Sequence, residues 1–284
     1  MQDIVVRFSF ADLPIRGQFV RLSSAWHNAI RHQEYEVPAA ALVGQAMAIS
    51  ALLADGIKFD GKVALQATSN GQISTLLGEC TQKHQLRGIA RHNDSPEQPD
   101  QLLGEGVLAI SLIPEQGEMH QGMVELSSPN IVRAIEHYFE NSEQLPTRLI
   151  SASNPDTITA LLIQRLPASA NEVSATEDDW HRLGLMLNTC SDDELLNLQH
   201  DQLLGRLFAE DTINVHPSRE LEFACTCSRE RSERALKVLG KEDLTALSNE
   251  ADEISIKCEI CGETYRWDSV EAHVLFETHD PQLH

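Results

Sequence analysis

Four of the six cysteines fall into two tight pairs: Cys225-Thr226-Cys227 in FACTCSRERSERALKV, and Cys258-Glu259-Ile260-Cys261-Gly262 in KCEICGETYRW. Four thiolates satisfy a tetrahedral Zn²⁺ completely, which is the closed, structural type of site. Cys-x-x-Cys-Gly is a common knuckle turn, because glycine takes the left-handed backbone that other residues resist. Cys-x-Cys is a rarer half-site. Its sulfurs can share a metal, or they can close a small strained disulfide ring of more oxidising potential. Such a pair suits a switch that only strong oxidants throw. Arg229, Arg231, Arg234 and Lys237 follow the first pair, and Lys257 and Arg266 flank the second. Cations there offset the negative charge of four thiolates on zinc. With Glu230 and Glu233 interleaved, they also fit a solvated helix face.

The remaining candidates carry less chemistry. Cys80 and Cys190 read as packed or half-exposed thiols. His216, His273 and His279 could ligate a metal, but four thiols already fill a tetrahedral shell. No Ser-His-Asp set or carboxylate pair stands out, so the chain is not expected to be an enzyme.

Composition narrows the classes further. The chain has 284 residues, 42% of them apolar, enough for one sizeable core and a smaller module. A formal net charge of −21 argues against nucleic acid and against an anionic membrane surface as partners. It favours solubility, which suits a protein that handles sticky clients. The N-terminal MQDIVVRFSFADLPIRGQ lacks the apolar stretch of a signal peptide. The uncharged run Val37–Ala54 is rich in alanine and contains Gln45, and reads as a buried core helix. A cytoplasmic location is expected. Stable disulfides are uncommon there, which turns the cysteines toward metal or redox chemistry.

The elements that must position the cysteines are legible in outline. Val63, Leu65 and Ala67 alternate, Ser69-Asn70-Gly71 turns, and Ile73–Leu77 returns as a strand. Two apolar strands join through Pro114–Gly117. A helix carries Ile131, Ile135 and Phe139 at helical spacing, with Ser128 as cap and Pro129 in its first turn. PTRLISASN and TITALLIQRLP read as a closing strand pair. The predicted class is α+β: an N-terminal domain of antiparallel sheet packed with helices (residues 1–170), a metastable helical linker (171–222) and a small C-terminal zinc-binding domain (223–284). In the linker, Thr176-x-x-Asp179 and Ser191-x-x-Glu194 read as capping boxes. Leu183, Met186 and Leu187 form one apolar face, and Leu203, Leu204, Leu207 and Phe208 another. Helices this short need a surface to pack on. The last segment offers Leu236, Val238, Leu239, Leu244 and Leu247. It then gives a hairpin closed by Cys258–Cys261 and a helix capped by Asp268-x-x-Glu271 with Val270 and Val274 inward.

Structural zinc in small modules is worth about 10–16 kcal/mol. Oxidising the ligands is therefore expected to melt residues 223–284, and with them the surface that holds 176–222.

EFACTCSRERSERALKVLG, followed by CEICGETYRW, resembles the redox-regulated heat-shock chaperone family, the thirty-three-kilodalton chaperonins. The likeness extends to IKFDGKVALQ, to LRGIAR at residues 86–91 and to YFENSEQLPTRL at 138–149, so it covers nearly the whole chain. The resemblance implies an ATP-independent holdase that is inactive when reduced and zinc-bound. Oxidants convert the ligands to two disulfides, by position Cys225–Cys227 and Cys258–Cys261. Zinc is released, the linker unfolds, and a typically dimeric form binds unfolding client proteins. Two other classes compete: a thiol-disulfide oxidoreductase using Cys258 and Cys261, and a zinc-ribbon interaction module without redox function.

Overall fold

The computed structural model describes residues 2–98, 100–127, 130–167, 175–239, 253–268, 270, 271 and 274. In chain order the elements are β1 (Ile4–Phe10), β2 (Ile15–Leu22), α1 (Ser24–Ile30), α2 (Val37–Asp55), β3 (Gly61–Ser69), β4 (Ile73–Thr81), β5 (Gln85–His92), β6 (Gly106–Pro114) and β7 (His120–Leu126). They continue with α3 (Ile131–Asn141), β8 (Thr147–Ser153), β9 (Ile158–Arg165), α4 (Glu177–Asn188), α5 (Asp192–Asn197) and α6 (His200–Leu207). Last come β10 (Ile213–Val215), β11 (Arg219–Glu220), β12 (Glu222–Phe223), α7 (Arg229–Leu239), β13 (Glu253–Lys257) and β14 (Thr264–Asp268). The chain divides into two compact units, Met1–Ala224 and Cys225–His284.

The first unit is α+β, as expected. One sheet runs β10-β1-β2-β9-β8, with β11 also on β1; the other runs β12-β5-β4-β3-β6-β7. Pairing is antiparallel except for β12 on β5. The turn read at Ser69–Gly71 joins β3 to β4. The Ser69 hydroxyl donates to the Ile73 carbonyl at 2.7 Å and accepts from the Gly71 amide at 3.3 Å.

Helix α2 is long and apolar enough to cross a membrane by length and composition, but it is buried within this unit. Val43, Ala46, Met47, Ala48 and Ile49 are fully covered and belong to one apolar cluster with residues of both sheets. Gly78 on β4 permits the approach, since a Cβ there would stand 2.5 Å from the Ala46 carbonyl.

Strand alternation gives β1, β2 and β9 two apolar faces. Val5, Val20, Leu22, Ala160 and Leu162 face α2. Ile4, Val6, Phe8, Phe19, Leu161 and Ile163 face the other way, onto Leu183, Leu187, Leu203, Leu204, Leu207 and Phe208 of α4–α6 and their flank. Both capping boxes form, at Thr176/Asp179 and Ser191/Glu194. Buried Arg21 donates to the Leu195 and Leu198 carbonyls at 3.2 and 2.6 Å, closing the C-terminal end of α5. The surface that holds these helices is therefore a sheet of the first unit. The expectation that the C-terminal module supplies it is corrected, because the apolar stripes match the second face of β1, β2 and β9.

Two other expectations change. The cap of α3 is Asn130, whose side chain accepts from the Val132 amide at 3.0 Å; Ser128 and Pro129 lie outside the described residues. Val238, Val270 and Val274 are exposed at 87%, 69% and 50%, not inward. Leu244 and Leu247 lie outside the described residues, as does the side chain of Leu239.

Candidate metal centre

Strands β13 and β14 pair from Glu253↔Asp268 to Lys257↔Thr264, and the six residues 258–263 that close the hairpin begin with Cys258 and carry Cys261 in fourth place. The Cys258 amide donates to the Glu263 carbonyl at 2.7 Å, and the Gly262 amide to the Cys258 carbonyl at 2.8 Å. Gly262 sits at φ 74°, the left-handed value that favours glycine. The turn points the Cys261 and Ile260 amides at the Cys258 sulfur. Cys225 and Cys227 lie just before α7. Between them, Thr226 presents its carbonyl and hydroxyl to Arg231 at 3.1 and 2.8 Å, which fixes the path of the first pair.

The four Sγ atoms lie within 4.8 Å of one another. Cys225 to Cys258 is 3.7 Å and Cys227 to Cys261 is 3.3 Å. Sulfurs at about 2.3 Å from a tetrahedral zinc stand about 3.8 Å apart. The donor set and its spacing are thus compatible with zinc. Burial opposes the Cys258 thiolate, but the Cys261 and Ile260 amides and the Cys261 and Cys225 thiols donate to it and hold it below the usual thiol range. Burial, aided by neighbouring sulfurs, pushes Cys225 and Cys261 upward.

The shell around the sulfurs is aromatic. Tyr265 donates its hydroxyl to Cys227 Sγ at 3.3 Å. Trp267, two residues along the same strand face, is 1% exposed and packs with Leu236 and Ile254. The sequence predicts ETYRW as a strand and assigns these two side chains no role; their period-two spacing is the signal that they share a face. Arg229 serves this core rather than the thiolates. Its guanidinium lies 4.9 Å from the Trp267 ring centre and binds Glu271 at 2.8 Å and Glu233 at 3.4 Å. Arg266 pairs with Glu253 at 3.0 Å. The basic run is in these places a structural lattice, as the solvated-face reading had it.

The other two cysteines stand apart. Cys80 is buried, and desolvation together with Asp55 pushes its thiol far up. Burial, with Glu194 and Asp192, raises Cys190 to about 11. Neither is a thiolate at neutral pH. His216 borders a cavity with Arg7, Asp55 and Arg219 and is not part of the four-sulfur group; His273 and His279 lie outside the described residues.

Comparison with known proteins bears on this arrangement. Residues 3–268 match the family model described as Hsp33 protein. A 33 kDa chaperonin of Pseudomonas aeruginosa (strain LESB58) is 37% identical over 276 residues, covering 95% of this chain and 93% of that one. The 33 kDa chaperonin of Hahella chejuensis is 35% identical over 286 residues, 99% of each chain. The crystal structure of the 33 kDa chaperonin from Thermotoga maritima superposes with a TM-score of 0.83 over 97% of this chain and 98% of that one; at 20% identity this supports the fold.

Proposed function

The chain belongs to the Hsp33 family of chaperonins, and from that premise we propose that it is a redox-regulated, ATP-independent holdase. It binds unfolding or oxidatively damaged proteins in the cytoplasm and prevents their aggregation. In the reduced state Cys225, Cys227, Cys258 and Cys261 hold one Zn²⁺. Bound zinc supplies a cross-link between the start of α7 and the β13–β14 turn. Oxidation removes two electrons for each disulfide formed, Cys225–Cys227 and Cys258–Cys261, and the oxidant takes up four electrons in all. Sulfurs paired with one another would no longer serve as thiolate ligands, so the oxidised module would not hold zinc.

The observation that carries this reading is the placing of the four sulfurs on a unit whose described residues form very little core. Only Leu236, Ile254 and Trp267 form the buried apolar cluster among its described residues. Units this small generally need a staple. Loss of the staple unfolds the module. In this proposal the unfolded module no longer holds the end of the β10–β12 segment, which pairs with β1 and β5 and joins the module to the rest of residues 171–222. That metastable linker then leaves the sheet and bares apolar surface for clients and for assembly into a dimer.

The position of Cys258-x-x-Cys261 between two strands disfavours the oxidoreductase alternative, because such motifs work at a helix start. The test is light scattering of thermally unfolding citrate synthase, with reduced and with oxidised protein, and zinc release read in parallel by a colorimetric chelator. Suppression by the oxidised form alone, together with zinc release, is expected. Equal suppression by both forms would sink the redox switch. Peptide mapping of the oxidised chain decides the pairing against Cys225–Cys258 and Cys227–Cys261, whose sulfurs are in contact in the reduced fold.

A further inference from the structure

The first unit encloses a second chemical environment, which the cysteine switch does not use. A cavity of about 170 Å³ opens where α2 ends, walled by Leu53, Ile110, Phe139 and Leu162. An engineered apolar cavity of about 150 Å³ is enough to take benzene. The chamber is not purely apolar, because Arg16, Gln18 and Gln164 also line it. Pockets of this kind, apolar with a few convergent polar groups, are the usual form of a small-molecule site.

Two of the three polar side chains, Arg16 and Gln18, offer donors to the chamber, and Gln164 orients the first of them. Arg16 and Gln18 are two apart on β2 and so share the face turned toward the core. Gln164 is 3% exposed. Its amide is oriented by a chain of bonds: its Nε2 donates to the Thr147 hydroxyl at 2.9 Å, and that hydroxyl donates to the Leu145 carbonyl at 2.8 Å. The Gln164 oxygen therefore faces Arg16 and accepts from its Nε and Nη2 at 3.1 and 2.7 Å. Among the described residues Arg16 has no carboxylate partner; its only side-chain acceptor is this neutral amide. Burial and the nearby charge of Arg7 both work against its cation. Gln18 is 5% exposed, and its amide has no hydrogen-bond partner among the described residues. Its Nε2 lies 3.8 Å from where a Cβ on Gly56, also on the chamber wall, would stand. The Gln18 amide is not one of the fully buried polar atoms left without a partner, so it reaches the open space of the chamber. The carboxylate on the wall, Glu143, accepts from the Tyr138 hydroxyl and makes no ion pair with Arg16.

We propose that this chamber binds a small monocarboxylate with an apolar body, its carboxylate accepting from Nη1 of Arg16, which Gln164 leaves free, and from the Gln18 amide. The chemistry selects the class. One negative charge balances the unpaired guanidinium. A dianion would strand a second charge among leucines, and an amine would face a cation. The chain walls off the ligand from the helices α4–α6, which cover the opposite face of β2.

Octanoate is the probe, titrated into the reduced, zinc-loaded full chain by calorimetry, with methyl-detected NMR to locate it. Octanamide and octylammonium serve as matched ligands without the negative charge. We expect saturable binding at one site, shifts at the Leu53, Ile110 and Leu162 methyls, and affinity at least about tenfold weaker for both uncharged and cationic analogues, as a charged hydrogen bond requires. Arg16→Gln should erase that preference with an unchanged circular dichroism spectrum. Absence of saturable octanoate binding overturns the proposal. So does equal affinity for the three ligands, or shifts confined to Leu203 and Leu207. If Arg16→Gln does not fold, the ligand series on the unchanged protein decides.

Discussion

Arg219 donates to the buried carboxylate of Asp55 at 2.7 Å, joining residues 164 apart in sequence. Asp55 is the last residue of α2, and its side chain is 1% exposed. Arg7 of β1 and His84, at 3.2 Å, donate to the same carboxylate. Arg219 belongs to the stretch that leads into Cys225. That stretch is laid onto the first unit by β10 and β11 on β1 and by β12 on β5, with Leu221 buried between. One carboxylate thus ties the core helix to the strand segment that carries the chain toward the cysteines. Asp55→Asn keeps the shape but leaves charged donors facing a neutral amide. It should cost about 1–3 kcal/mol in urea unfolding of the first unit. Arg219→Ala, on the exposed side of the pair, should cost less than about 1 kcal/mol. Equal costs would contradict this ranking.

The same carboxylate sets an acid limit. Burial pushes Asp55 up, but the hydrogen bonds from Arg7 and His84 and the charges of Arg7 and Arg219 outweigh it and hold the carboxyl below its usual range. Glu79 is held down likewise: burial opposes, while bonds and charges from Arg87 and Lys62 prevail. A carboxylate whose folded pKa is depressed gives stability that is present above its unfolded pKa and lost as pH falls through the folded one. Stability should therefore decline below about pH 4, where free carboxyls begin to protonate. The Asp55→Asn, Glu79→Gln double variant, though weaker at neutral pH, should show a shallower decline, read by acid titration of the near-ultraviolet dichroism. An unchanged slope would place the acid sensitivity elsewhere.

How far the sequence carried these conclusions depended on the range of the interaction. The cysteine pairs, the hairpin around the second of them, both capping boxes and the buried α2 were legible because each is written in residues a few positions apart. The Asp55 cluster was not, since its partners come from β1, the turn before β5, and β11. Val270 and Val274 fit a helical stripe, yet both are exposed, because spacing alone does not say whether a surface exists to receive the stripe. The seat of α4–α6 was missed for a related reason. Strands such as ITALLIQR are apolar at nearly every position and so have two faces to cover, but only the sheet order shows that the partner of the second face is the segment after β9.

The second unit should couple its zinc affinity to its small core. Trp267 is its largest buried side chain, and Arg229 lies over the ring. Trp267→Ala should cost about 3–5 kcal/mol of folding energy. A module whose folding depends on metal shows that loss as weaker binding. We expect zinc to pass to a competing chelator at a concentration at least about a hundredfold lower than for the parent chain, by the rule of about 1.4 kcal/mol per tenfold. Cys258→Ser should abolish stoichiometric zinc outright. If Trp267→Ala held zinc as tightly as the parent, the module would be folded independently of its metal.

The last prediction concerns the helices seated on the sheet. Helices α4, α5 and α6 have 12, 6 and 8 residues, and isolated helices below about 12–15 residues are marginal in water. Their stability is borrowed from the apolar face of β1, β2 and β9. Phe208 anchors that seat: it is 1% exposed, with its ring centre 5.1 Å from that of Phe10 in an edge-on contact and 6.2 Å from that of Phe8. Phe208→Ala removes about 3–5 kcal/mol from a segment with little of its own. The variant should loosen α4–α6 while zinc remains bound. Trp180 on α4, 6% exposed and flanked by Arg148 and Arg165, reports the release directly. Its emission, isolated by Trp26→Phe and Trp267→Phe, should shift to longer wavelength. If client binding uses the uncovered face, the reduced variant should also suppress aggregation in part without oxidant. A red-shifted Trp180 with no gain in suppression would separate client binding from this face, and would place the client surface on another part of the chain.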